Sequence, residues 1–314
     1  MLSISISQIE YVLALHKTGN FSEAADLCFI TQSTLSTMIK KIENQFGYKI
    51  FDRKSKPICL TSEGELLIDQ FKTINNQYQK LEELVQETKD QMHGTLSIGI
   101  IPTVAPFLLS LFLDGLVSNH ANIKFTIHEI TTNEIISRLK SKDLDIGILS
   151  IPIADKDLNQ HTLYTEEFFV YDASKKTKLN KKFKIEEIDL SRLWLLEESH
   201  CLTHQIDQIC HLKKKRSISN NLIYNSGSIL SLLELVNINK GLTLLPKLAI
   251  RNEKLVNKKL IHQLKSPTPA REIGLVTHPD FVKKRILKVI EKEIKKSVKP
   301  ILNNSKKVFI VKPN

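Results

Sequence analysis

The sequence predicts an α/β protein in three successive parts: a winged helix-turn-helix at residues 1–63, a long helix at 64–92 and an α/β domain at 94–300. Three observations predict this order. Short helical segments followed by a small basic hairpin come first, a seven-residue apolar repeat follows, and strand and helix patterns alternate from Gly94 onward. A chain of 314 residues is also too long for one compact core.

Composition and charge decide little about function. The net charge of +11 would suit a nucleic-acid partner, but residues 1–64 carry seven Lys/Arg and six Asp/Glu. The excess lies at 175–184, at 213–216 and beyond residue 280, and lysine runs of this kind are typical of solvated faces. The four cysteines form no CxxC or His/Cys cluster. They predict reduced thiols, no metal site and no cofactor.

Neither a leader sequence nor a membrane span is expected. The first twenty residues carry Glu10, His16 and Lys17 and lack a basic leader. Residues 94–113 carry no charge and have the length of a membrane span. Pro102 and Pro106 within them favour a buried strand followed by a helix instead. We therefore expect a cytoplasmic protein with no membrane partner.

The N-terminal segment has the pattern of three short helices. Ser7 and Glu10 form a capping-box pattern for the first helix. Ser22 is the expected cap of a short second helix. The third helix, in TQSTLSTMIKKIENQFG, is expected to begin after Thr31 and to end at Gly47.

The third helix is the expected DNA-reading element. Leu35, Ile39 and Ile42 recur at helical spacing, which leaves polar side chains on the other face. Short polar side chains at a helix N-terminus can reach base edges and phosphates, although Ser/Thr-rich helix starts are more often only caps. The candidate DNA contacts on this helix are Gln32, Ser33, Thr34, Thr37 and Lys40.

A basic hairpin is predicted after the third helix. The segment KIFDRKSKPICLT contains two β-prone runs around a turn at 54–57. Residues 40–56 carry six Lys/Arg and two Asp/Glu. Arg53, Lys54 and Lys56 are therefore expected to lie near phosphates.

The helix at 64–92 carries an apolar repeat with alternating steps of four and three residues. Such a repeat predicts a coiled-coil dimer, and the alternative is packing against the chain's own domains. The repeat consists of Leu67, Phe71, Ile74, Tyr78, Leu81, Val85, Thr88 and Met92. The candidate dimer contacts are Phe71, Ile74, Tyr78, Leu81 and Val85.

Strands and helices alternate beyond residue 94, which argues for mainly parallel sheets with ligand sites at helix N-termini. The predicted helices include 133–140 and 228–236. The predicted strands are 96–101, 123–128, 146–149, 168–171, 193–196, 222–224 and 242–244.

The residues resemble a known family. FSEAADLCFITQSTLSTMIKKIENQFGYKIFDR with LTSEG is similar to the DNA-binding region of LysR-type regulators, and GTLSIGIIPT and KGLTLLP resemble their sensor domain. The resemblance covers almost the whole chain. It implies a promoter-binding transcription regulator, not an enzyme, that forms a homodimer or homotetramer and has RNA polymerase as a partner. The sensor would have the periplasmic-binding-protein-like fold, with lobe I at 94–167 and 272–300, lobe II at 168–271 and a tail at 301–314.

A narrower resemblance is to the OxyR-like peroxide sensors of that family. It rests on GIIPTVAPFLL, LLEESHCLTHQIDQIC and REIGLV. It implies that hydrogen peroxide oxidises Cys201, that Cys210 resolves the product and that oxidative-stress genes are controlled. Two departures are Ser199, where glycine is more usual, and the basic run at 213–216. The implied peroxide pocket consists of Thr103, Thr132, His200 and Arg271.

Thiol chemistry sets conditions for such a switch. A thiol with a pKa of about 8.5 needs nearby positive charge, hydroxyl donors or a helix N-terminus to become a nucleophilic thiolate, and Cys201 precedes a helical run. If 201–210 is helical, the two Cα atoms lie about 13 Å apart. A disulfide needs about 4.4–6.8 Å, so oxidation would have to unwind the segment.

Two other functions stay open. Cys201 and Cys210 could be buried small hydrophobic residues in a regulator that binds a metabolite between its lobes. A thiol-dependent peroxidase is the third class, but it would not need residues 1–92. Cys28 and Cys59 are expected to be structural.

Overall fold

The structure is a computed structural model that describes residues 3–88, 93–174, 182–197, 201–210, 227–251, 256–302 and 307–313. The chain divides into two compact units, Met1–Asp90 and Gln91–Asn314. Each unit has its own apolar core.

The N-terminal unit has the predicted order of three helices, a hairpin and a long helix. Helices α1 (Ile6–Thr18), α2 (Phe21–Leu27) and α3 (Gln32–Phe46) precede strands β1 (Phe51–Asp52) and β2 (Cys59–Leu60), and α4 spans Ser62–Thr88. The predicted limits of α3 are confirmed. The Thr31 hydroxyl accepts a hydrogen bond from the backbone N–H of Thr34, and Gly47 ends the helix in the left-handed conformation.

The predicted caps of the first two helices were wrong. Ser5 caps α1 in a capping box with Gln8, and Asn20 caps α2. Ser7 and Ser22 lie within the helices. Ser and Asn are comparable caps, so the sequence pattern placed each helix start about two residues late.

The first half of α4 packs on its own domain, which corrects part of the predicted dimer seam. Phe71 is only 4% exposed, and its ring lies 6.2 Å from that of Phe46. Ile74, Leu81 and Val85 are exposed. Phe71 therefore belongs to the core of the N-terminal unit, and any seam begins at Ile74.

The second unit begins with alternating strands and helices. Its first elements are β3 (Gly94–Ile100), α5 (Ala105–Asn119), β4 (Ile123–Glu129), α6 (Thr132–Lys140), β5 (Ile146–Ile151) and β6 (Asn159–Asp172). The uncharged stretch at 94–113 thus forms a strand and a helix, as predicted. Within the described ranges, no helix is long and apolar enough to cross a membrane.

The rest of the unit completes the sheets. It contains α7 (Cys201–Cys210), α8 (Ile229–Ile238), β7 (Leu242–Pro246), β8 (Ile261–Gln263), β9 (Thr268–Thr277), α9 (Lys284–Val298) and β10 (Val308–Ile310). The strand order is β4-β3-β5-β9-β6-β7, with β10 paired to β9 and β8 paired to β6.

Among the described strands of the second unit, four pairings are antiparallel and three are parallel, so the prediction of mainly parallel sheets was wrong for this part of the chain. Strand β3 is parallel to β4 and β5, and β10 is parallel to β9. Strand β9, however, is antiparallel to both β5 and β6, and β6 is antiparallel to β7 and β8. The sequence pattern missed the antiparallel pairing because β9 returns from far along the chain.

Strand β6 joins two sheets. It pairs with β9 through Glu167 and with β7 from Phe168 onward, and this change of partner lies at the predicted lobe boundary. The predicted strand at 193–196 was wrong, since only an isolated bridge joins Leu193 to Leu242. The predicted strand at 222–224 lies outside the described residues.

Candidate functional site

A buried thiol lies where two helices begin. Cys201 is the first residue of α7 and Thr132 is the first residue of α6. Their side chains are hydrogen-bonded, and the Cys201 side chain is also close enough to Arg271 to be influenced by its charge. Cys201 is 6% exposed. The structure therefore brings together Cys201, Thr132 and Arg271, which the family resemblance implied to be neighbours.

Arg271 on β9 is completely buried and holds the cluster together. Its Nε donates to Oε1 of Glu166 at 2.9 Å. Its Nη1 and Nη2 donate to the hydroxyl and carbonyl oxygens of Thr103, both at 3.1 Å. The other Glu166 carboxylate oxygen accepts the backbone N–H of Leu248 at 3.0 Å. Thr103 thus joins the cluster through Arg271.

The electrostatics of Cys201 run opposite to the expectation from sequence. Burial raises the pKa of the Cys201 thiol, while the Arg271 charge and the hydrogen bond to Thr132 lower it by less. The described residues thus favour a protonated thiol in this state.

Cys210 ends the same helix. Burial, with a smaller contribution from the Asp207 charge, raises the pKa of the Cys210 thiol to about 12. Both cysteines are free thiols. The predicted helical state of 201–210 is confirmed, so about 13 Å separates the two Cα atoms.

Gln205 fixes the middle of α7 and was missed by the sequence analysis. It is completely buried, and its Nε2 donates to the Ser150 hydroxyl and to the Val311 carbonyl, both at 3.0 Å. Thr203 adds a bond from its hydroxyl to the carbonyl of Leu196 at 3.0 Å. In the sequence, its only distinguishing feature is a polar residue at a position of α7 whose neighbours on the same face are apolar.

Some predicted features cannot be placed. His200 of the predicted peroxide pocket, Ser199 beside it and the basic run at 213–216 lie outside the described residues. Across the described ranges, no group of His, Cys, Asp and Glu side chains could hold a metal ion.

The predicted DNA contacts on α3 lie at its exposed start. Gln32, Ser33, Thr37 and Lys40 are exposed, and Thr34 is half-buried. The hydroxyls of Ser33 and Thr34 also bond to the Thr31 hydroxyl, at 3.0 and 2.8 Å. These hydroxyls therefore also stabilise the first turn of α3.

Arg53 has a partner within the N-terminal unit. The buried Glu43 on α3 accepts a hydrogen bond from Arg53 Nη2 at 3.0 Å and from the backbone N–H of Ile50 at 3.0 Å. The Arg53 guanidinium also lies 5.4 Å from the Phe21 ring centroid. Arg53 thus fixes the hairpin on α3, whereas Lys54 and Lys56 are exposed at its turn.

Family models match both units. Residues 6–65 match the bacterial regulatory helix-turn-helix proteins of the lysR family, and residues 89–291 match the LysR substrate binding domain. These matches define a DNA-binding transcription regulator rather than an enzyme. The chain belongs to the LysR family of bacterial regulators, which bind promoter DNA as oligomers and act in the cytoplasm.

Two curated relatives and one solved structure are similar to this chain over most of its length. The HTH-type transcriptional regulator EstR of Acinetobacter baylyi is 33% identical over 275 residues, which are 87% of this chain and 90% of EstR. The hydrogen peroxide-inducible genes activator of Dickeya chrysanthemi is 30% identical over 278 residues, 88% of this chain and 90% of that protein. A full-length OxyR variant from Pseudomonas aeruginosa has the same fold, with a TM-score of 0.73 at 24% identity over 93% of this chain and 98% of that one.

Neutralising the two exposed lysines of the hairpin turn, Lys54→Gln with Lys56→Gln, is expected to weaken binding to all DNA sequences alike. The logarithm of the binding constant falls with the logarithm of the salt concentration, and each lost phosphate contact should make this slope less steep by about 0.9. Fluorescence anisotropy of promoter and unrelated duplexes at several salt concentrations measures this. Lys72→Gln on α4 is the matched control. An unchanged slope in the double variant would show that the hairpin turn does not contact DNA phosphates.

Proposed function

We propose that this regulator senses hydrogen peroxide through Cys201 and that Cys210 resolves the oxidised thiol. The observation that carries the proposal is the buried Cys201 side chain hydrogen-bonded to Thr132 beside Arg271. The peroxide-inducible activator among the relatives supports the same signal. In this proposal Thr103, Thr132, His200 and Arg271 form the peroxide pocket, and RNA polymerase is the partner that reads the outcome.

The first step would be attack of the Cys201 sulfur on one oxygen of hydrogen peroxide. An S–O bond forms, the O–O bond breaks, and the departing oxygen takes up a proton and leaves as water. Thr132 is placed to donate a hydrogen bond in this step. Because burial favours the protonated thiol, the reaction requires proton loss from Cys201 when peroxide enters. The product is a sulfenic acid.

The second step would join the two cysteines. The Cys210 sulfur attacks the Cys201 sulfur, an S–S bond forms and the S–O bond of the sulfenic acid breaks. The departing hydroxide takes up the Cys210 proton and leaves as a second water, so one peroxide is reduced while two thiols are oxidised. A distance of about 13 Å along an intact α7 is too long for this bond. Helix α7 therefore has to unwind, which breaks both hydrogen bonds of Gln205. Such a refolding has two discrete states that an oligomer can report.

A second candidate is a regulator that binds a metabolite between its lobes and whose cysteines are incidental. The raised pKa of the Cys201 thiol favours it, because an unreactive buried cysteine has this property. The two candidates differ in thiol reactivity.

Cys201→Ser is expected to abolish the peroxide response, because the nucleophile is lost. Cys210→Ser should still form a sulfenic acid at Cys201 but no disulfide, and should over-oxidise on longer exposure. Mass spectrometry of peptides after brief peroxide treatment, with stopped-flow kinetics, measures both effects. Cys59→Ser removes an exposed thiol and is the matched control. If Cys201 reacts no faster than glutathione, the metabolite-binding candidate replaces peroxide sensing.

A further inference from the structure

The side chain of Tyr164 on β6 ends in a buried hydroxyl that has no hydrogen-bond partner. Tyr164 is 7% exposed as a whole, and its hydroxyl oxygen is fully enclosed. A buried polar group without a partner costs free energy, and in a folded protein it points to a bound small molecule or to a role in chemistry. Among the described residues, no other fully enclosed hydroxyl lacks a partner.

Other buried hydroxyls of the second unit are hydrogen-bonded to the protein. Tyr171 lies on the same strand and is 1% exposed, and its hydroxyl donates to Oδ1 of Asn237 at 2.6 Å. The hydroxyl of Thr203 donates to the carbonyl of Leu196 at 3.0 Å. The unused hydroxyl of Tyr164 is therefore not a general property of buried hydroxyls in this unit.

Tyr164 lies on the face of the sheet that carries the Arg271 cluster. The register pairs Tyr164 with Ile273 and Glu166 with Arg271. Residues two apart on a strand, and residues directly opposite on neighbouring antiparallel strands, point to the same face. The Tyr164 hydroxyl is close enough to Glu166 and Arg271 to be influenced by their charges, and Arg271 also influences Cys201. The phenol and the thiol therefore share one charged neighbour.

A second unpartnered atom belongs to a side chain that packs on the same face. Ser150 is opposite Ile273 on the other side of β9, so Ser150, Ile273 and Tyr164 form one row across three strands. The Ser150 hydroxyl accepts a hydrogen bond from Nε2 of Gln205, which places Gln205 against this row. The amide oxygen of Gln205 is buried without a partner. Gln205 also lies one helical turn after Cys201 in α7, on the same side of the helix.

The two unpartnered groups suit a small neutral molecule that both donates and accepts hydrogen bonds. Burial raises the pKa of the Tyr164 hydroxyl well above its ordinary value; the Glu166 charge adds to this effect and the Arg271 charge opposes it. The phenol therefore keeps its proton and is a donor, whereas the amide oxygen of Gln205 is an acceptor. Hydrogen peroxide has both O–H donors and acceptor oxygens.

We propose that Tyr164 binds the hydrogen peroxide molecule that reacts with Cys201, an inference that rests on the proposed function. The Tyr164 hydroxyl donates a hydrogen bond to the departing oxygen while the Cys201 sulfur bonds to the other oxygen. The O–O bond breaks, and the departing hydroxide takes up the proton released by the Cys201 thiol and leaves as water. Tyr164 keeps its own proton throughout. Its hydrogen bond stabilises the negative charge that develops on the departing oxygen.

Tyr164→Phe tests this role, because it removes the hydroxyl and keeps the ring. In stopped-flow kinetics of the reduced full chain, the second-order rate constant for oxidation of Cys201 by hydrogen peroxide should fall about threefold to tenfold, as expected for the loss of one hydrogen bond. The rate constant for alkylation of Cys201 by iodoacetamide should not change, because the departing iodide needs no proton donor. Mass spectrometry of peptides assigns both reactions to Cys201.

Tyr171→Phe is the matched control, because it removes a buried hydroxyl of the same strand whose partner is Asn237. It should leave both rate constants unchanged, and urea unfolding checks that both variants are folded. An unchanged peroxide rate constant in Tyr164→Phe would overturn the proposal. Equal losses in the peroxide and alkylation rate constants would also overturn it, because they would show an effect on packing. An unaltered chain whose Cys201 reacts with peroxide no faster than glutathione would instead reject peroxide sensing itself, and this proposal with it.

Discussion

Arg271→Met is expected to destabilise the second unit by about 3–5 kcal/mol, because it leaves the Glu166 carboxylate buried without its cation. The same change leaves the hydroxyl and carbonyl oxygens of Thr103 without the hydrogen bonds that Arg271 donates to them. Urea unfolding of the full chain, followed by fluorescence of the single tryptophan, measures the effect. Trp194 lies in the second unit and contacts the backbone position of Gly241, so its signal reports that unit.

The matched control is the double variant Arg271→Met with Glu166→Gln. It removes both charges, so most of the lost stability should return even though the three hydrogen bonds of Arg271 are gone. If the Arg271→Met variant and the unaltered protein have the same free energy of unfolding, this ion pair contributes little to stability. The double variant also separates stability from chemistry, since a folded sensor without Arg271 allows the oxidation rate of Cys201 to be measured.

If α4 forms the contact between chains, as its apolar repeat predicts, Leu81→Glu should dissociate the oligomer. Leu81 is 59% exposed on the half of the helix that leaves the N-terminal core, and a charge buried in a helix seam costs several kcal/mol, on the order of 3. Binding to paired half-sites should fall with the oligomer. Sedimentation velocity of the purified chain measures the first effect and anisotropy with a two-site duplex measures the second.

Gln79→Glu introduces the same charge at an exposed position off the seam and is the matched control. A Leu81→Glu variant that keeps its oligomeric state would exclude α4 as the contact. Phe71 is not a suitable test position, because it packs inside its own domain. A substitution there would unfold the N-terminal unit, and the loss of folding could not be told from a loss of association.

Local patterns predicted the local structure well. The Thr31 cap, the Gly47 end of α3, the strand and helix within 94–113 and the helix between the two cysteines all follow from neighbouring residues. Helix α9 was missed although Ile286, Ile290 and Ile294 recur every four residues. That signal lies among many lysines, which favoured an interpretation as solvated charge.

Contacts between distant residues could not be predicted. Glu166 and Arg271 are 105 residues apart, and nothing in a single sequence pairs them. The same limit applies to Arg53, which was predicted to lie near phosphates and also forms an ion pair with Glu43 on α3. The raised pKa of the Cys201 thiol could not be predicted for a related reason: the sequence shows a helix start near the thiol but not how deeply the thiol is buried.

The residue that follows β10 (Val308–Ile310) joins the C-terminal segment to α7. Val311 is buried, its N–H donates to Ala270, and its carbonyl accepts from Gln205 in the middle of α7. Any rearrangement of α7 that withdraws Gln205 removes one of the bonds that hold this segment. Limited proteolysis should therefore cut the segment at 307–313 faster when α7 is rearranged. A simple mass measurement could then follow the state of the sensor without a label on either thiol.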